Sequence, residues 1–438
     1  MNGTATTETP RLTKTLGPIM LWGLGVGYVI SGMYFGWNLG LEKGGTLGLG
    51  VATVFIILMY AAFSFSYTEL ACAIPKAGGA FDYAARALGK DAGFIAGMAQ
   101  IVEFVFAPPA IAIAIGTYIS LEFQTVNPLA AAIFVYIIFT ALNVFGVKLA
   151  AAFELIVTIL AVGELLLFAG VTLPHFKLAQ LQHNPLPHGW SGAFAAIPFA
   201  IWFFLGIEGV ANVAEETRNP QKDILKGFGW ALVTLVVLCI LTFVASVGVA
   251  GWEQVVYKAD GSVTDSPLPM AMGNVVATTN PLYKILVGVG LFGLIASFHG
   301  LILASGRASY EFGRMGNAPR LLGKVHKKFG TPANALIVNS CFGIIALLSG
   351  KTAEIITISV FAALVLYIVS MVSVLVLRKK EPDLPRPFKV RLFPVAPIVA
   401  LVIAVVAMVA MVIYNLHLAL IFFGIMLLTY ILFKLIKR

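Results

Sequence analysis

Long apolar stretches alternate with short polar segments along the whole chain. A helix needs about 20 apolar residues to cross the hydrocarbon core of a membrane, and we count about twelve stretches of that length. They are predicted at Pro18 to Leu39, Leu47 to Leu70, Gly93 to Ile119, Pro128 to Phe145, Ala151 to Leu173, Ala193 to Ala214, Gly227 to Ala250, Leu282 to Ala304, Ala333 to Leu348, Ile355 to Leu377, Val395 to Ile413 and Leu416 to Leu435. The pattern predicts an all-α integral membrane protein with about twelve transmembrane helices.

Composition supports this interpretation and weighs against an enzyme. Of 438 residues, 59% are hydrophobic and only 11% are charged, which lies far outside the range of soluble proteins. The segment Gly288 to Gly293 matches G-x-G-x-x-G, but it lies inside an apolar stretch with no preceding strand. Cys72, Cys239 and Cys341 are scattered and form no metal-binding or disulfide pattern. We therefore expect neither an enzyme nor a bound cofactor or metal.

Basic residues predict the orientation of the helices. With twelve spans, all but five of the 29 lysines and arginines fall in the termini and the even-numbered loops, which indicates that both termini are cytoplasmic. The net charge of +9 is then explained by topology and contact with anionic lipid, and nucleic acid is not expected as a partner. The first apolar stretch has full length and no cleavage site, so it is predicted to be a retained span of an inner-membrane protein.

The loops divide the chain into segments. We predict a cytoplasmic N-terminal tail (1–17), five helices (18–173), an extracellular loop (174–192), five further helices (193–377), a cytoplasmic loop (378–394), and two last helices with a cytoplasmic C-terminus (395–438).

The first and sixth spans differ from the others because glycines interrupt them. They read "GLGVGYVISGMYFGWN" (Gly23 to Asn38) and "FFLGIEGVANVAEE" (Phe203 to Glu216), and Glu208 lies within the second. Broken helices at membrane depth are tolerated where the freed backbone lines a cavity, and in corresponding positions of two halves they indicate a secondary-transporter site. The alternative is that the glycines only allow close helix packing, which would not explain an ionisable residue there.

Four loop motifs carry a family resemblance. They are "KAGGAFDYAARALG" (Lys76 to Gly89), "GVANVAEETRNPQKDILKG" (Gly209 to Gly227), "ASGRASYEFGRMGNAPRLLGKVHKKFGTPANAL" (Ala304 to Leu336) and "LRKKEPDLPRPFKV" (Leu377 to Val390). Together they resemble the amino acid–polyamine–organocation (APC) superfamily of transporters over nearly the whole chain. The resemblance implies a five-plus-five inverted repeat with broken helices 1 and 6, two extra C-terminal helices, and alternating access around a midplane site.

Within that superfamily the chain looks most like the bacterial ethanolamine permeases. This narrower resemblance rests on the first span, on "EFVFAPPAIAIAIGTY" (Glu103 to Tyr118) and on "FELIVTILAVGELLLF" (Phe153 to Phe168). Amino acid carriers of the superfamily commonly have Gly-Ser-Gly in the first break, where free amides meet the substrate carboxylate. Here the residues are Ile30, Ser31 and Gly32. A branched side chain at this position favours an amine that has no carboxylate.

An amine substrate is a cation, and a buried cation needs an anion or aromatic rings beside it. Glu208 is the candidate anion, the aromatic residues near the breaks could supply rings, and Ser31 suits a substrate hydroxyl. The predicted substrate-binding residues are Ile30, Ser31, Gly32, Tyr34, Glu103, Phe203, Phe204, Gly206 and Glu208.

Ionisable residues within apolar spans are candidates for ion coupling. They are Glu103, Glu164, Glu208 and His299, and they favour proton coupling, although sodium is not excluded. Glu154 is a further buried carboxylate. Helix-to-helix hydrogen bonding is an equally good explanation for Glu154 and His299. Some proton-dependent relatives have a lysine in the fifth span where others bind sodium, and we align Ala161 with that lysine.

The sequence thus predicts a secondary active transporter that imports ethanolamine or a similar small amine, driven by protons or membrane potential. An amino acid permease or exchanger is the alternative, and a cation channel is a weaker one.

Overall fold

The computed structural model describes residues 14–145 and 150–436. Every regular element in this part of the chain is a helix. The predicted tail before residue 14 and the last two residues of the predicted C-terminus lie outside these ranges. The spans, in order, are Pro18–Gly27 with Ser31–Tyr34, Asn38–Ala73, Lys90–Glu122, Pro128–Phe145, Ala150–Thr172, Ile197–Trp202 with Ile207–Glu216, Pro220–Ala250, Pro281–Arg314, Ala333–Leu347, Thr352–Lys380, Val395–Tyr414 and Leu416–Ile436. The all-α fold predicted from the hydropathy pattern is confirmed.

Several helices extend beyond their apolar stretches. The eighth span continues to Arg314, beyond its predicted end at Ala304, and the tenth begins at Thr352 and ends at Lys380. Hydropathy marks where the hydrocarbon ends, whereas a helix continues as long as its backbone hydrogen bonds can be made. The second span also joins the end of the first through a kink at Gly45.

Both predicted breaks are present. The first helix stops at Gly27, and a short helix of Ser31–Tyr34 follows after three residues. The sixth helix stops at Trp202 and resumes at Ile207 as a 3₁₀-helix, after Gly206 with φ of 94°. This left-handed conformation favours glycine, because a Cβ atom would be strained there.

The two breaks touch each other. A Cβ atom added to Gly32 would lie 2.6 Å from the carbonyl oxygen of Trp202, so only glycine permits this approach. All of the apolar window of the sixth span is buried, compared with 28% for the twelfth. The broken helices therefore form the centre of the bundle, and the last two helices lie at its edge.

Ion pairs join the helix ends on the side of the bundle where the first span begins. We call this side the basic face and define it by Glu69, Arg307, Arg378 and Arg386. Arg378 donates to both oxygens of Glu69 at 2.6 and 2.7 Å, and the Val390 amide donates to the same carboxylate at 2.8 Å. Arg307 pairs with Glu216 at 2.8 Å. These contacts connect the second, tenth, sixth and eighth spans.

The loop between the seventh and eighth spans covers the opposite face. The carbonyl of Thr264 accepts a hydrogen bond from the Asn38 side chain at 2.9 Å, and a helix of Pro267–Gly273 follows. Burial raises the pKa of Asp265 in this loop, and a hydrogen bond from Thr352 opposes the rise. The loop is thus anchored on the first and tenth spans.

Candidate functional site

Two carboxyl groups meet at the centre of the bundle. Glu208 follows the break of the sixth span, Glu103 projects from the third span, and both side chains are fully buried. The two groups lie close enough to interact directly. Both Glu103 oxygens and one Glu208 oxygen have no hydrogen-bond partner in the described part of the chain. Two carboxylates in contact and out of water are stable only if a proton or another cation is bound.

Tyrosines from two other spans orient Glu208. The Tyr367 hydroxyl donates to the Glu208 carboxylate at 3.1 Å, and the Tyr60 hydroxyl lies 2.9 Å from that of Tyr367. Since Tyr367 has a single proton to donate, Tyr60 is the donor of the second hydrogen bond. The hydrogen bonds from Tyr60 through Tyr367 to Glu208 fix one carboxylate oxygen, and the other has no hydrogen-bond partner among the described residues.

Aromatic rings pack around the two tyrosines that orient Glu208. The Phe204 ring lies 5.1 Å from that of Tyr60, and the Phe63 ring lies 4.4 Å from that of Tyr367. Aromatic ring faces attract cationic groups such as ammonium. Phe203 points elsewhere and stacks on Trp37 at 5.7 Å.

The amides of the first break are already occupied. The backbone N–H groups of residues 30–33 each donate to a protein acceptor at 2.8–3.0 Å. Ser31 donates to the Ser297 hydroxyl, which in turn donates to the Gly27 carbonyl at 2.6 Å. A substrate carboxylate at this break would have to displace these bonds.

A second buried pair lies beside the first break. His299 Nδ1 lies 3.1 Å from one oxygen of Glu154, so the two side chains form a hydrogen bond between the fifth and eighth spans, and the other Glu154 oxygen has no partner among the described residues. Thr158 donates to the Gly23 carbonyl at 3.2 Å, so Glu154 and Thr158 face the first span before its break. Ala161, which aligns with the coupling lysine of relatives, lies further along the helix, and its carbonyl accepts a hydrogen bond from the Tyr34 hydroxyl at 2.9 Å.

Tyr34 and Glu164 form a third group. The Tyr34 ring packs against Gly290 and Gly293 of the eighth span, and its hydroxyl lies near the Glu164 carboxyl. The Tyr118 hydroxyl donates to the Tyr34 carbonyl at 3.3 Å. The predicted ionisable residues are therefore distributed over a central pair, the His299 pair and this group towards the opposite face.

Sequence reasoning did not identify several residues of the centre. Tyr60 and Tyr367 stabilise Glu208, Ser297 occupies the Ser31 amide, and the buried Gln100 donates to Asn212 at 2.9 Å. Gln100 and Asn212 each lie about one helical turn from a central glutamate, on the side of the basic face. Single polar residues in apolar helices have no pattern of their own, and only their burial and hydrogen bonds in the folded chain distinguish them.

Comparison with known proteins supports one assignment. Residues 16–433 match the family model described as amino acid permease. An uncharacterised transporter of Rhizobium meliloti is 28% identical over 382 residues, covering 85% of this chain and 80% of that protein. The branched-chain amino acid permease BcaP of Bacillus subtilis is 28% identical (90% and 87% covered), and the methylthioribose transporter of the same organism is 25% identical (90% and 87% covered). Together with its helical architecture, the match over nearly its whole length shows that this chain belongs to the amino acid permease family of multi-pass membrane transporters.

Proposed function

We propose that this permease carries a small organic cation across the inner membrane by alternating access, with both termini in the cytoplasm. The observation that carries the proposal is the buried pair of Glu103 and Glu208, which have no cationic partner among the described residues. An ammonium group between them would offset one negative charge and donate to the free oxygens, and a proton shared by the two carboxyl groups would offset the other charge. Substrate movement by a carrier predicts counterflow of labelled substrate in vesicles, which a channel would not produce.

Ethanolamine or a similar small amine is our first candidate substrate. The amides of residues 30–33 are occupied, and the buried Ile30 side chain fills space next to them. A substrate carboxylate would be left without donors there and would also approach two carboxylates of like charge. Both effects favour an amine that has no carboxylate.

An amino acid is the second candidate, and the comparisons favour it. The named relative BcaP is described as a branched-chain amino acid permease. The methylthioribose transporter, in contrast, is named for a substrate that is not an amino acid, so membership of the family leaves room for other substrates. A cationic or neutral amino acid could place its ammonium group at the same carboxylate pair.

Competition between serine and ethanolamine tests this choice. We expect serine to compete at least about tenfold more weakly than ethanolamine, a difference of about 1.4 kcal/mol. Ile30→Gly should improve serine binding, because it removes a branched side chain and frees the backbone to rearrange. Binding is measured as displacement of labelled ethanolamine from purified protein. Equal affinity of the wild type for both compounds would make the amino acid permease the better interpretation.

We further propose that protons drive uptake, with His299 and Glu154 as one site where the proton binds. His299 and Glu154 form a buried pair of an imidazole and a carboxyl group, both of which can bind a proton, and Glu154 faces the broken first span. Uptake should rise with an inward proton gradient, and His299→Gln should remove most of this stimulation. The measurement is uptake into vesicles with and without a pH gradient, in sodium or choline buffer. Loss of uptake in choline, with no response to pH, would instead indicate sodium coupling.

A further inference from the structure

A small cavity lies beneath the loop that covers the opposite face, outside the central pair. It has room for about one water molecule, and it is lined by Tyr118, Glu164, Leu268, Pro269, Met272, Leu286 and Val287. The helix of Pro267–Gly273 forms its roof, and the third, fifth and eighth spans form its walls. The lining is apolar except for the Tyr118 and Glu164 side chains.

Glu164 has an unusual position in this cavity. Its side chain is 5% exposed, and one carboxylate oxygen has no hydrogen-bond partner in the described residues. No lysine, arginine or histidine of the described chain forms an ion pair with it. A buried carboxylate with a free oxygen that faces a cavity of this size is suited to bind a compact cation.

The cavity also connects to the centre. Tyr34 lies between Glu164 and the first break, because its hydroxyl is close to the Glu164 carboxyl and its backbone belongs to the short helix Ser31–Tyr34. Tyr118 lines the cavity and donates to the Tyr34 carbonyl. A cation held at Glu164 would therefore lie next to the broken part of the first span.

We propose that Glu164, together with the Tyr118 ring, forms an outer subsite that binds the ammonium group of the substrate before it reaches Glu103 and Glu208. This rests on the proposed function for the identity of the ligand, but the subsite itself requires only a compact cation. The loop of residues 264–276 closes over it, and its anchor on Asn38 connects this closure to the first span.

Charged thiol reagents test the subsite without knowledge of the substrate. A Met272→Cys substitution in a Cys341→Ser background places a thiol in the cavity wall and removes the exposed native cysteine. We expect positively charged aminoethyl methanethiosulfonate to react much faster than the negatively charged sulfonatoethyl reagent. Adding Glu164→Gln should reduce this preference at least about tenfold. Ala277→Cys, exposed on the same loop, is the control whose preference should not depend on Glu164.

Two results of this assay would overturn the subsite. One is a cation preference at Met272→Cys that Glu164→Gln leaves unchanged, and the other is a cysteine that neither reagent reaches. Tyr34→Phe tests whether Glu164 acts only by holding Tyr34 in place, because this variant removes the hydroxyl near Glu164 and keeps the carboxylate. The proposal requires that this variant retains the preference.

Uptake measurements separate this proposal from the proposed function. For whichever of labelled ethanolamine, lysine and serine the wild type carries, Glu164→Gln should raise the half-saturation concentration at least about fivefold and change the maximal rate less. Unchanged half-saturation would contradict the subsite while leaving the central site intact. If none of the three compounds is carried, the proposed function fails, and the thiol assay still decides whether Glu164 binds cations.

Discussion

Replacing Glu208 with glutamine is expected to reduce substrate affinity or uptake at least about tenfold, equivalent to about 1.4 kcal/mol or more. Glutamine keeps the shape of the side chain and can still accept the bond from Tyr367, but it removes the negative charge from the buried pair. The measurement is uptake and equilibrium binding at matched expression. Glu354→Gln is the control, because this glutamate makes only a surface pair with Lys351.

A double substitution shows whether the two central glutamates act as a unit. If one ammonium group is shared by both carboxylates, Glu103→Gln should weaken binding strongly as well. The variant with both substitutions should then lose less than the sum of the two single losses, because the groups share one ligand. Wild-type binding by Glu208→Gln would refute the proposed site, and full additivity would indicate that the two carboxylates act separately.

Replacing Glu69 with glutamine is expected to destabilise the folded protein by about 3 kcal/mol, because it breaks a buried ion pair and leaves a charge without its partner. Glu69 is 2% exposed, and it accepts bonds from Arg378 and from the Val390 amide. Arg386, 3.4 Å from Glu69, also donates to backbone carbonyls of the same loop. The guanidinium of Arg378 is therefore the group that would be left partly buried without its charged partner.

Thermal unfolding of the purified protein measures this effect. Glu381→Gln is a matched control on the same face, because its pair with Arg86 is partly exposed and is expected to contribute less than about 1 kcal/mol. Combining Glu69→Gln with Arg378→Gln should recover part of the lost stability, since no unpaired charge would remain at that position. Equal unfolding temperatures for Glu69→Gln and Glu381→Gln would contradict the prediction.

Much of the site was predictable as separate residues, but not as an arrangement. Glu103, Glu164, Glu208 and His299 are recognisable in the sequence because an ionisable residue in an apolar span is costly. The sequence does not show which of these residues lie together, because that depends on which helix faces pack against each other. Tyr60 and Tyr367 are more than 300 positions apart in the chain, as their hydrogen bond shows, and no local pattern relates them.

The hydropathy pattern alone was sufficient to predict the all-α membrane fold. Each span must satisfy its backbone groups with hydrogen bonds within its own helix, so it appears in the sequence as an apolar stretch of nearly constant length. Glycines alone indicated where the first and sixth helices break, because left-handed backbone such as that of Gly206 excludes most other residues. Only the tertiary structure paired Glu103 with Glu208, Glu154 with His299, and Glu164 with the cavity beneath the loop. The physical reason is that lipid imposes the same apolar requirement on every span, so hydropathy cannot distinguish which faces meet, whereas contacts between polar side chains depend on helix rotation and packing.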